Sequence, residues 1–400
     1  MDNDFVRRLF TNFNEAIDSS AEIKEIGTIL TDKQETNKNP IHVENGHIGV
    51  EKWCIKHIYL YAYKQLMNLV SKGLTDDHRD IDTLSRCVAI FCSDCTTAWN
   101  VRKQLLEFTT NENTLRNELQ LIQLALMRHP KSTESFAQRR WIIKKLFNSK
   151  VTWTPSHILP LSHCKNCAKP RLVCAVFNDP GKVSDKHLQI IETELTTCTL
   201  VANRHTSNYA AWSHRSWVIN TLVLSNLLQE PSEQLVKILM SELLSLLQWI
   251  ELNVSDHSGM SYCKELLSVL TVVSLLQNNH VCNCNHTKFK MQDNFECFKH
   301  ENIQNKWYEA VKSCNELLLL HGACHEALWM FKYELAISYH RLVGSFIKVS
   351  DEKHEADNLL SFAGCQKFCN TLATTIPTPS AQHCIKHHMN LVRIFFNSSS

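Results

Sequence analysis

Glycine and proline are scarce in this chain: each occurs nine times among 400 residues. Such scarcity disfavours a turn-rich β fold and favours helices. The chain also lacks any run of about 18 apolar residues, so we expect no membrane span. Its formal net charge is only +2, which gives no support to nucleic-acid binding or to a polybasic membrane anchor.

Common signatures of catalysis and of secretion are missing as well. No Gly-rich phosphate loop and no nucleophile elbow occurs. The first 20 residues lack the apolar core of a signal peptide, and Phe10, Phe13 and Ile17 recur at the spacing of an ordinary helix. The 17 cysteines are an odd number, and many fall within helical patterns. We therefore expect buried, reduced thiols in a cytoplasmic protein.

The sequence does contain a repeated pattern, most clearly in NYAAWSHRSWVI at 208–219. In each copy an aromatic residue is followed three positions later by a cation. The copies hold Trp99 and Arg102; Phe136, Arg139 and then Trp141; Trp212, Arg215 and then Trp217; and Trp329 and Lys332. A degenerate copy has Met260 and Cys263 at the two positions. Neighbouring copies about 35 to 48 residues apart are typical of solenoids built from helical hairpins.

Helix geometry explains the residue types in the pattern. Positions i, i+3 and i+7 share a face, so Trp212, Arg215 and Ile219 form one stripe, and Trp217 lies roughly 140° away. A helix buried on two sides suits the inner layer of stacked hairpins. Asn208 precedes it as an N-cap, and an arginine on the buried stripe needs a carboxylate or carbonyl partner. We predict an all-α fold, a right-handed α-α superhelix of helical hairpins.

The pattern also divides the chain into three parts. Residues 1–84 are expected to form N-terminal helices and a segment that is specific to the subfamily of this chain. Residues 85–345 hold the repeats, with insertions near 150–185 and 279–305. Residues 346–400 are expected to form a loose connector followed by a C-terminal helix.

The repeats resemble those of protein prenyltransferase α subunits. NYAAWSHRSWVI, HPKSTESFAQRRW and NVSDHSGMSYCKELL are similar to successive repeats of that family, and PIHVENGHIGVEKWC resembles its divergent repeat-containing branch. The resemblance implies an α subunit that binds no cofactor itself but wraps a catalytic β subunit, which holds the zinc and the isoprenoid diphosphate. The dimer would transfer an isoprenoid to a C-terminal cysteine of a target protein. Divergence at Thr133 favours geranylgeranyl over farnesyl.

The resemblance singles out one residue for catalysis. Family α subunits place one lysine at the diphosphate, and Lys131 in HPKSTESF matches it. A cation there would neutralise charge that grows on the leaving diphosphate. Where the family commonly has a tyrosine and a histidine, this chain has Thr133 and Ala210. A solvated lysine, a pseudo-subunit without turnover and a non-catalytic helical-repeat adaptor therefore stay open as alternatives.

Two stretches rich in cysteine and histidine are weaker candidates for zinc sites. One contains Cys164 and Cys167, and the other contains Cys282 and Cys284. Thiolates and imidazoles at short spacing suit tetrahedral zinc. Neither stretch has the paired spacing of a known zinc module, so we expect polar loops between repeats.

Overall fold

The computed structural model describes residues 3–19, 23–31, 39–74, 78–147, 162–163, 170–171, 184–224, 227, 232–277, 296–342 and 355–398. Most of these residues are helical, which confirms the predicted all-α helical-repeat class. The chain forms two compact units. Unit 1 comprises residues 1–149 and 196–214, and unit 2 comprises residues 150–195 and 215–400. None of the described helices is both long and apolar enough to cross a bilayer.

The described residues of unit 1 form six complete helices and parts of two more. The complete helices are α1 (Asn3–Ser19), α2 (Lys52–Ser71), α3 (His78–Phe91), α4 (Thr96–Leu106), α5 (Glu112–Arg128) and α6 (Thr133–Leu146). The units share α7 (Asp185–Arg204) and α8 (Tyr209–Trp217). Helices α3 to α8 form three successive hairpins, each joined by a short turn, in which the second helix carries the aromatic and the cation of one repeat.

Polar side chains begin the second helices of two hairpins in unit 1. Ser132 Oγ accepts the backbone N–H of Ser135, and Asn208 Oδ1 accepts that of Ala211. Both are N-caps, which satisfy backbone donors that the first turn of a helix leaves without partners. The start of each helix is thus fixed by the residue four positions before its aromatic.

Unit 1 also contains a three-stranded sheet, whereas the prediction for 1–84 named N-terminal helices and a segment specific to the subfamily, without strands. Strands β1 (Glu25–Ile29) and β2 (Ile41–Glu44) both pair with β3 (His47–Glu51), β1 in parallel and β2 antiparallel. Asn45 and Gly46 have φ of 50° and 82° and close the β2–β3 hairpin. Asn-Gly between alternating apolar residues is a strong hairpin signal. The buried face of the sheet comprises Ile26, Ile48 and Val50.

Unit 2 continues the hairpin pattern. Its helices are α9 (Glu233–Leu252), α10 (His257–Gln277), α11 (His300–Leu320), α12 (Glu326–Leu342), α13 (Glu355–Leu360), α14 (Phe362–Thr375) and α15 (Pro379–Ser398). After α8 the chain continues as a π-helix, Val218–Leu224. The two-residue strands β4 (Ser162–His163) and β5 (Pro170–Arg171) pair antiparallel.

Two expectations for unit 2 need correction. The stretch after residue 354 is not a loose connector, because α13 and α14 precede the last helix. Leu360, Cys365, Cys369 and Leu372 recur at helical spacing and are buried, and this apolar stripe holds both helices in place. The second insertion ends before residue 305, since α11 begins at His300 and Phe298 is fully buried.

Candidate functional site

Two tryptophans of the repeat make the same hydrogen bond. The indole N–H of Trp99 donates to the carbonyl of Ser93 at 2.7 Å, and that of Trp329 donates to the carbonyl of Ala323 at 2.9 Å. Each acceptor lies six residues before its tryptophan, in the turn of the hairpin. Both indoles are buried. The tryptophan therefore joins the second helix of a hairpin to the turn that precedes it.

Three repeat arginines also share a contact. Each donates a guanidinium N–H to the carbonyl 20 residues earlier, on the first helix of its own hairpin. The pairs are Arg102 with Asp82 (3.2 Å), Arg139 with Leu119 (2.9 Å) and Arg215 with Leu195 (2.9 Å). All three side chains are buried. The repeat arginine therefore ties together the two helices of one hairpin.

Two of these arginines also bind a buried carboxylate on the next hairpin. Arg102 donates to both oxygens of Glu118 on α5, at 2.8 and 2.5 Å. Arg215 donates to both oxygens of Glu242 on α9, with 2.7 Å between Nη2 and Oε2. The hydroxyl of Tyr262 donates to Glu242 as well, at 2.7 Å. The paired carboxylate that a buried arginine needs is thus supplied by the following repeat.

The two ion pairs change the pKa values of the groups within them. Burial alone lowers the pKa of Arg102, but the charges and hydrogen bonds of Glu118 and Asp82 outweigh it, so the pKa is raised overall. Burial, with the charge of Glu242, raises the pKa of Tyr262 well above its usual value. Arg102 is therefore a cation and Tyr262 a neutral hydroxyl throughout the accessible pH range. These residues stabilise the repeat and do not exchange protons.

Two predicted core residues depart from the pattern. Trp141, at the repeat position of buried Trp217, is only half-buried, and the ammonium of Lys145 lies 4.9 Å from its ring centre. Lys332 replaces the arginine in the last copy and is fully buried. Its ammonium donates to Asn315 Oδ1 at 2.6 Å and lies 4.4 Å from the ring centre of Phe368. An amide and an aromatic face thus stand where Arg102 has a carboxylate.

Lys131 lies in the turn between α5 and α6, and hydrogen bonds fix the residues on both sides of it. The ring of His129 contacts the carbonyl of Phe91 at 3.1 Å, and the hydroxyl of Ser132 donates to the carbonyl of Ser93 at 3.0 Å. The amide of Asn208, in the next repeat, donates to the carbonyl of Pro130 at 2.7 Å. The turn is therefore held by the repeats before and after it.

The side chain of Lys131 is exposed, and it makes no hydrogen bond or ion pair with the part of the chain that the structure describes. It directly precedes the N-cap of α6, where the helix dipole also favours an anion. A rigid backbone beneath an exposed ammonium can bind an anionic group without rearrangement.

Tyr209 begins the next second helix at the repeat position of Thr133, and sequence reasoning did not select it. It is 74% exposed, and the neighbouring Asn208 is anchored to Pro130. The start of this helix is therefore held against the turn that contains Lys131. Thr133 is exposed and Ala210 is buried, so neither supplies the polar ring that the family commonly has there.

The candidate zinc ligands Cys164, Cys167, Cys282 and Cys284 lie outside the described residues. Among the residues that are described, no three His, Cys, Asp or Glu side chains are grouped so that they could hold a metal ion.

The acidic partners of the arginines are the main feature that sequence reasoning missed. Glu118 and Glu242 each directly precede a leucine on the apolar stripe of a first helix, and Glu194 on α7 does the same. All three are buried. An acid at a core position is the signal that could have identified them, since a carboxylate is rarely buried without a cation.

Comparison with known proteins agrees with this geometry. The family model of the protein prenyltransferase alpha subunit repeat matches residues 115–146 and 191–222, which cover most of α5 and α7 and all of α6 and α8. The chain is similar to protein prenyltransferase alpha subunit repeat-containing protein 1 of Danio rerio, with 28% identity over 343 residues, covering 84% of this chain and 73% of the relative.

Two further relatives carry similar names. Protein prenyltransferase alpha subunit repeat-containing protein 1 of Homo sapiens is 28% identical over 346 residues, covering 84% of this chain and 78% of the relative. The 1-B protein of Xenopus laevis is 31% identical over 279 residues, covering 69% of this chain and 57% of the relative. The matched repeats carry the arginine contacts described above. The chain is therefore a divergent protein of the prenyltransferase α-subunit repeat kind.

Proposed function

We propose that this chain is the α subunit of a heterodimeric protein prenyltransferase. It binds a catalytic β subunit, which supplies the zinc and the isoprenoid pocket. The dimer transfers an isoprenoid, geranylgeranyl rather than farnesyl, to a C-terminal cysteine of a target protein in the cytoplasm. The observation that carries the proposal is the placement of Lys131: an exposed ammonium, without a partner among the described residues, on a turn held by two adjacent repeats.

Electrostatics gives Lys131 its role in this proposal. As the C–O bond of the isoprenoid diphosphate breaks, negative charge grows on the leaving group. A positioned cation stabilises that charge without reorganising at the moment of reaction. Tyr209, an exposed residue directly after Asn208, would donate a hydrogen bond from its hydroxyl to the same diphosphate. Chain and lipid would meet at the start of α6 and α8, while the β subunit provides the rest of the site.

A pseudo-subunit is the second candidate, and one observation favours it. Thr133 and Ala210 replace the two polar rings that the family commonly places beside the lysine. Fewer donors then face the diphosphate, and the chain would bind a β partner without supporting turnover. A non-catalytic repeat adaptor would bind no β subunit at all.

Transfer assays on the complex separate these candidates. The chain is co-expressed with each available prenyltransferase β subunit, and labelled isoprenoid transfer is measured with saturating substrates. We expect Lys131→Ala to lower kcat by about 100-fold and Lys131→Arg to retain much of it, since a positive charge is the requirement. Lys72→Ala, which removes an exposed lysine at the end of α2, is the matched control and should transfer normally.

The other outcomes identify the alternatives. A stable complex that transfers neither geranylgeranyl nor farnesyl would contradict the active α-subunit proposal and support the pseudo-subunit. Equal kcat for wild type and Lys131→Ala would show that Lys131 takes no part in the reaction. The chain would then serve only as a scaffold for the β subunit.

A further inference from the structure

The turn between α3 and α4 places two cysteines at the ends of one β-turn. Its residues are Cys92, Ser93, Asp94 and Cys95, and the backbone N–H of Cys95 donates to the carbonyl of Cys92 at 3.0 Å. A β-turn brings its first and last Cα atoms to within about 7 Å, which overlaps the 4.4–6.8 Å range found in disulfides. Both thiols are free and half-buried, so small molecules can reach them.

This turn also carries contacts on which the repeat depends. The carbonyl of Ser93 accepts both the indole N–H of Trp99 and the hydroxyl of Ser132. Cys95 is the N-cap residue of α4. Asp94 occupies the repeat position that Lys131 occupies one hairpin later. A covalent change in this turn would therefore act on the first repeat and on the turn that holds Lys131.

We propose that Cys92 and Cys95 are a redox-active pair that closes a reversible disulfide when the folded protein meets a peroxide. One thiolate attacks the peroxide, whose O–O bond breaks, giving a sulfenic acid and, after protonation, water. The second thiol attacks that sulfur, the S–S bond forms, the S–O bond breaks and a second water leaves. Two thiols lose two electrons in all, and the peroxide gains them. A small-molecule thiol reverses the change by exchange.

Position in the fold distinguishes this pair from most other described cysteines. Burial raises the pKa of Cys54 to about 12 and that of Cys314 to about 12, so both stay protonated and inert. Cys87 is fully buried on α3, and burial raises its pKa further. Cys92 and Cys95, in contrast, lie in a turn and are only half-buried, although burial raises the pKa of Cys95 as well.

Tyr59 on α2 gives the pair a defined neighbour. Tyr59 lies near Cys92, and burial, followed by the interaction with the Cys92 side chain, raises the pKa of Tyr59 to about 12. The phenol therefore remains protonated beside Cys92 and cannot itself act as a base at neutral pH.

Mass mapping of the full-length folded chain tests the proposal. The folded protein is treated with hydrogen peroxide and the excess peroxide is removed. The chain is then unfolded in urea, its remaining thiols are blocked with a maleimide, and it is digested with trypsin. Cys87, Cys92 and Cys95 share the peptide 87–102. We expect that peptide to lose two hydrogens and to carry one maleimide, on Cys87, and dithiothreitol to restore three reactive thiols. Maleimide on both Cys92 and Cys95 after oxidation, or a disulfide from either to another cysteine, would overturn the proposal.

Single substitutions identify the two oxidised cysteines without relying on fragmentation spectra of the peptide. Cys92→Ser and Cys95→Ser should each abolish the protected pair, while Cys87→Ala should keep it. Circular dichroism establishes that each variant is folded. Protection that persists in Cys92→Ser would overturn the proposal, as would protection that forms only after the wild-type chain is unfolded in urea. None of these measurements requires a β subunit or prenyl transfer.

Discussion

The guanidinium of Arg102 forms a bidentate ion pair with the carboxylate of Glu118, which lies on the first helix of the next hairpin. Arg215 and Glu242 repeat that relationship in unit 2. The same guanidiniums also hold the carbonyl 20 residues earlier in their own hairpins. One side chain therefore links three helices, and the stacking of hairpins depends on buried charge as well as on apolar packing.

Removal of one partner from this buried pair should destabilise the fold strongly. Glu118→Ala leaves the Arg102 cation buried with only Asp82 and neutral acceptors, and we expect a loss of about 3–5 kcal/mol. The measurement is the free energy of unfolding of unit 1 in urea, followed by circular dichroism. Glu112→Ala, which breaks the half-exposed i,i+4 pair of Glu112 with Arg116 on the same helix, is the matched control and should cost only about 0.3–0.5 kcal/mol. Equal losses in the two variants would contradict this account.

Asn208 should show two separable contributions. Asn208→Ala removes the N-cap of α8 and the bond to Pro130, and we expect a loss of about 2–3 kcal/mol. Asn208→Asp keeps an oxygen that can cap the helix but loses the amide donor, so it should cost less than alanine. Asn111→Ala removes an exposed N-cap on α5 whose hydrogen bonds, within the described part of the chain, are all local, and it should cost about 1 kcal/mol.

Thermal unfolding of the three variants measures these differences. If Asn208→Asp is as stable as wild type, the hydrogen bond from Asn208 to Pro130 contributes nothing to stability. The stabilising effect of Asn208 would then come from the N-cap alone.

His388 should make unit 2 sensitive to acid. Burial lowers the pKa of His388 to about 3, and the charges of Lys332 and His387 lower it too, against a contact with the backbone of Trp329 that raises it. The unfolded chain binds a proton near pH 6.5, whereas the folded chain does not. The stability from His388 is therefore complete above about pH 6.5 and falls by about 1.4 kcal/mol per pH unit below it, towards pH 3.

Urea unfolding at several pH values checks this slope. His388→Phe should flatten it between about pH 6.5 and 5. His383→Phe, an exposed site on the same helix, should leave it unchanged. A slope that survives in His388→Phe would assign the acid sensitivity to other groups.

Lys332 should tolerate an apolar replacement that Arg102 does not. Lys332 has an amide and an aromatic ring as partners, so Lys332→Met leaves no buried charge behind and should be neutral or stabilise by about 1 kcal/mol. Arg102→Met leaves the Glu118 carboxylate buried and should cost about 3–5 kcal/mol. Lys332→Met should also raise the pKa of His388, which NMR titration can follow. A large loss in Lys332→Met would show that its ammonium is needed.

The repeated helices could be predicted because each copy is local. Trp99 and Arg102, or Trp212 and Arg215, lie three residues apart, and helix geometry alone places them on one stripe. Glu118 could not be assigned to Arg102 in this way, because their contact crosses from one hairpin to the next. The sheet was missed although Asn45 and Gly46 signal a hairpin, since the helical repeats dominated the interpretation of the chain. Helix α14 was missed because its stripe is built from cysteines, which carry a weak hydrophobic pattern.

Within the candidate site, Lys131 could be selected only through the resemblance to a family. Nothing local distinguishes it from other lysines before a helix. The hydrogen bonds from Ser132 and Asn208 that hold its turn depend on the folding together of three repeats. The start of the helix that carries Tyr209 is likewise held near this turn only by the contact of Asn208 with Pro130.

Association with a β subunit is the measurement that tests the proposed function most directly. The chain is co-expressed with each prenyltransferase β subunit, and the mass of the purified species is determined by light scattering during size-exclusion chromatography. We expect one β subunit to elute with this 46.1 kDa chain at a 1:1 ratio. If every β subunit elutes without it, while the chain alone is folded, the α-subunit proposal is contradicted and a repeat adaptor remains.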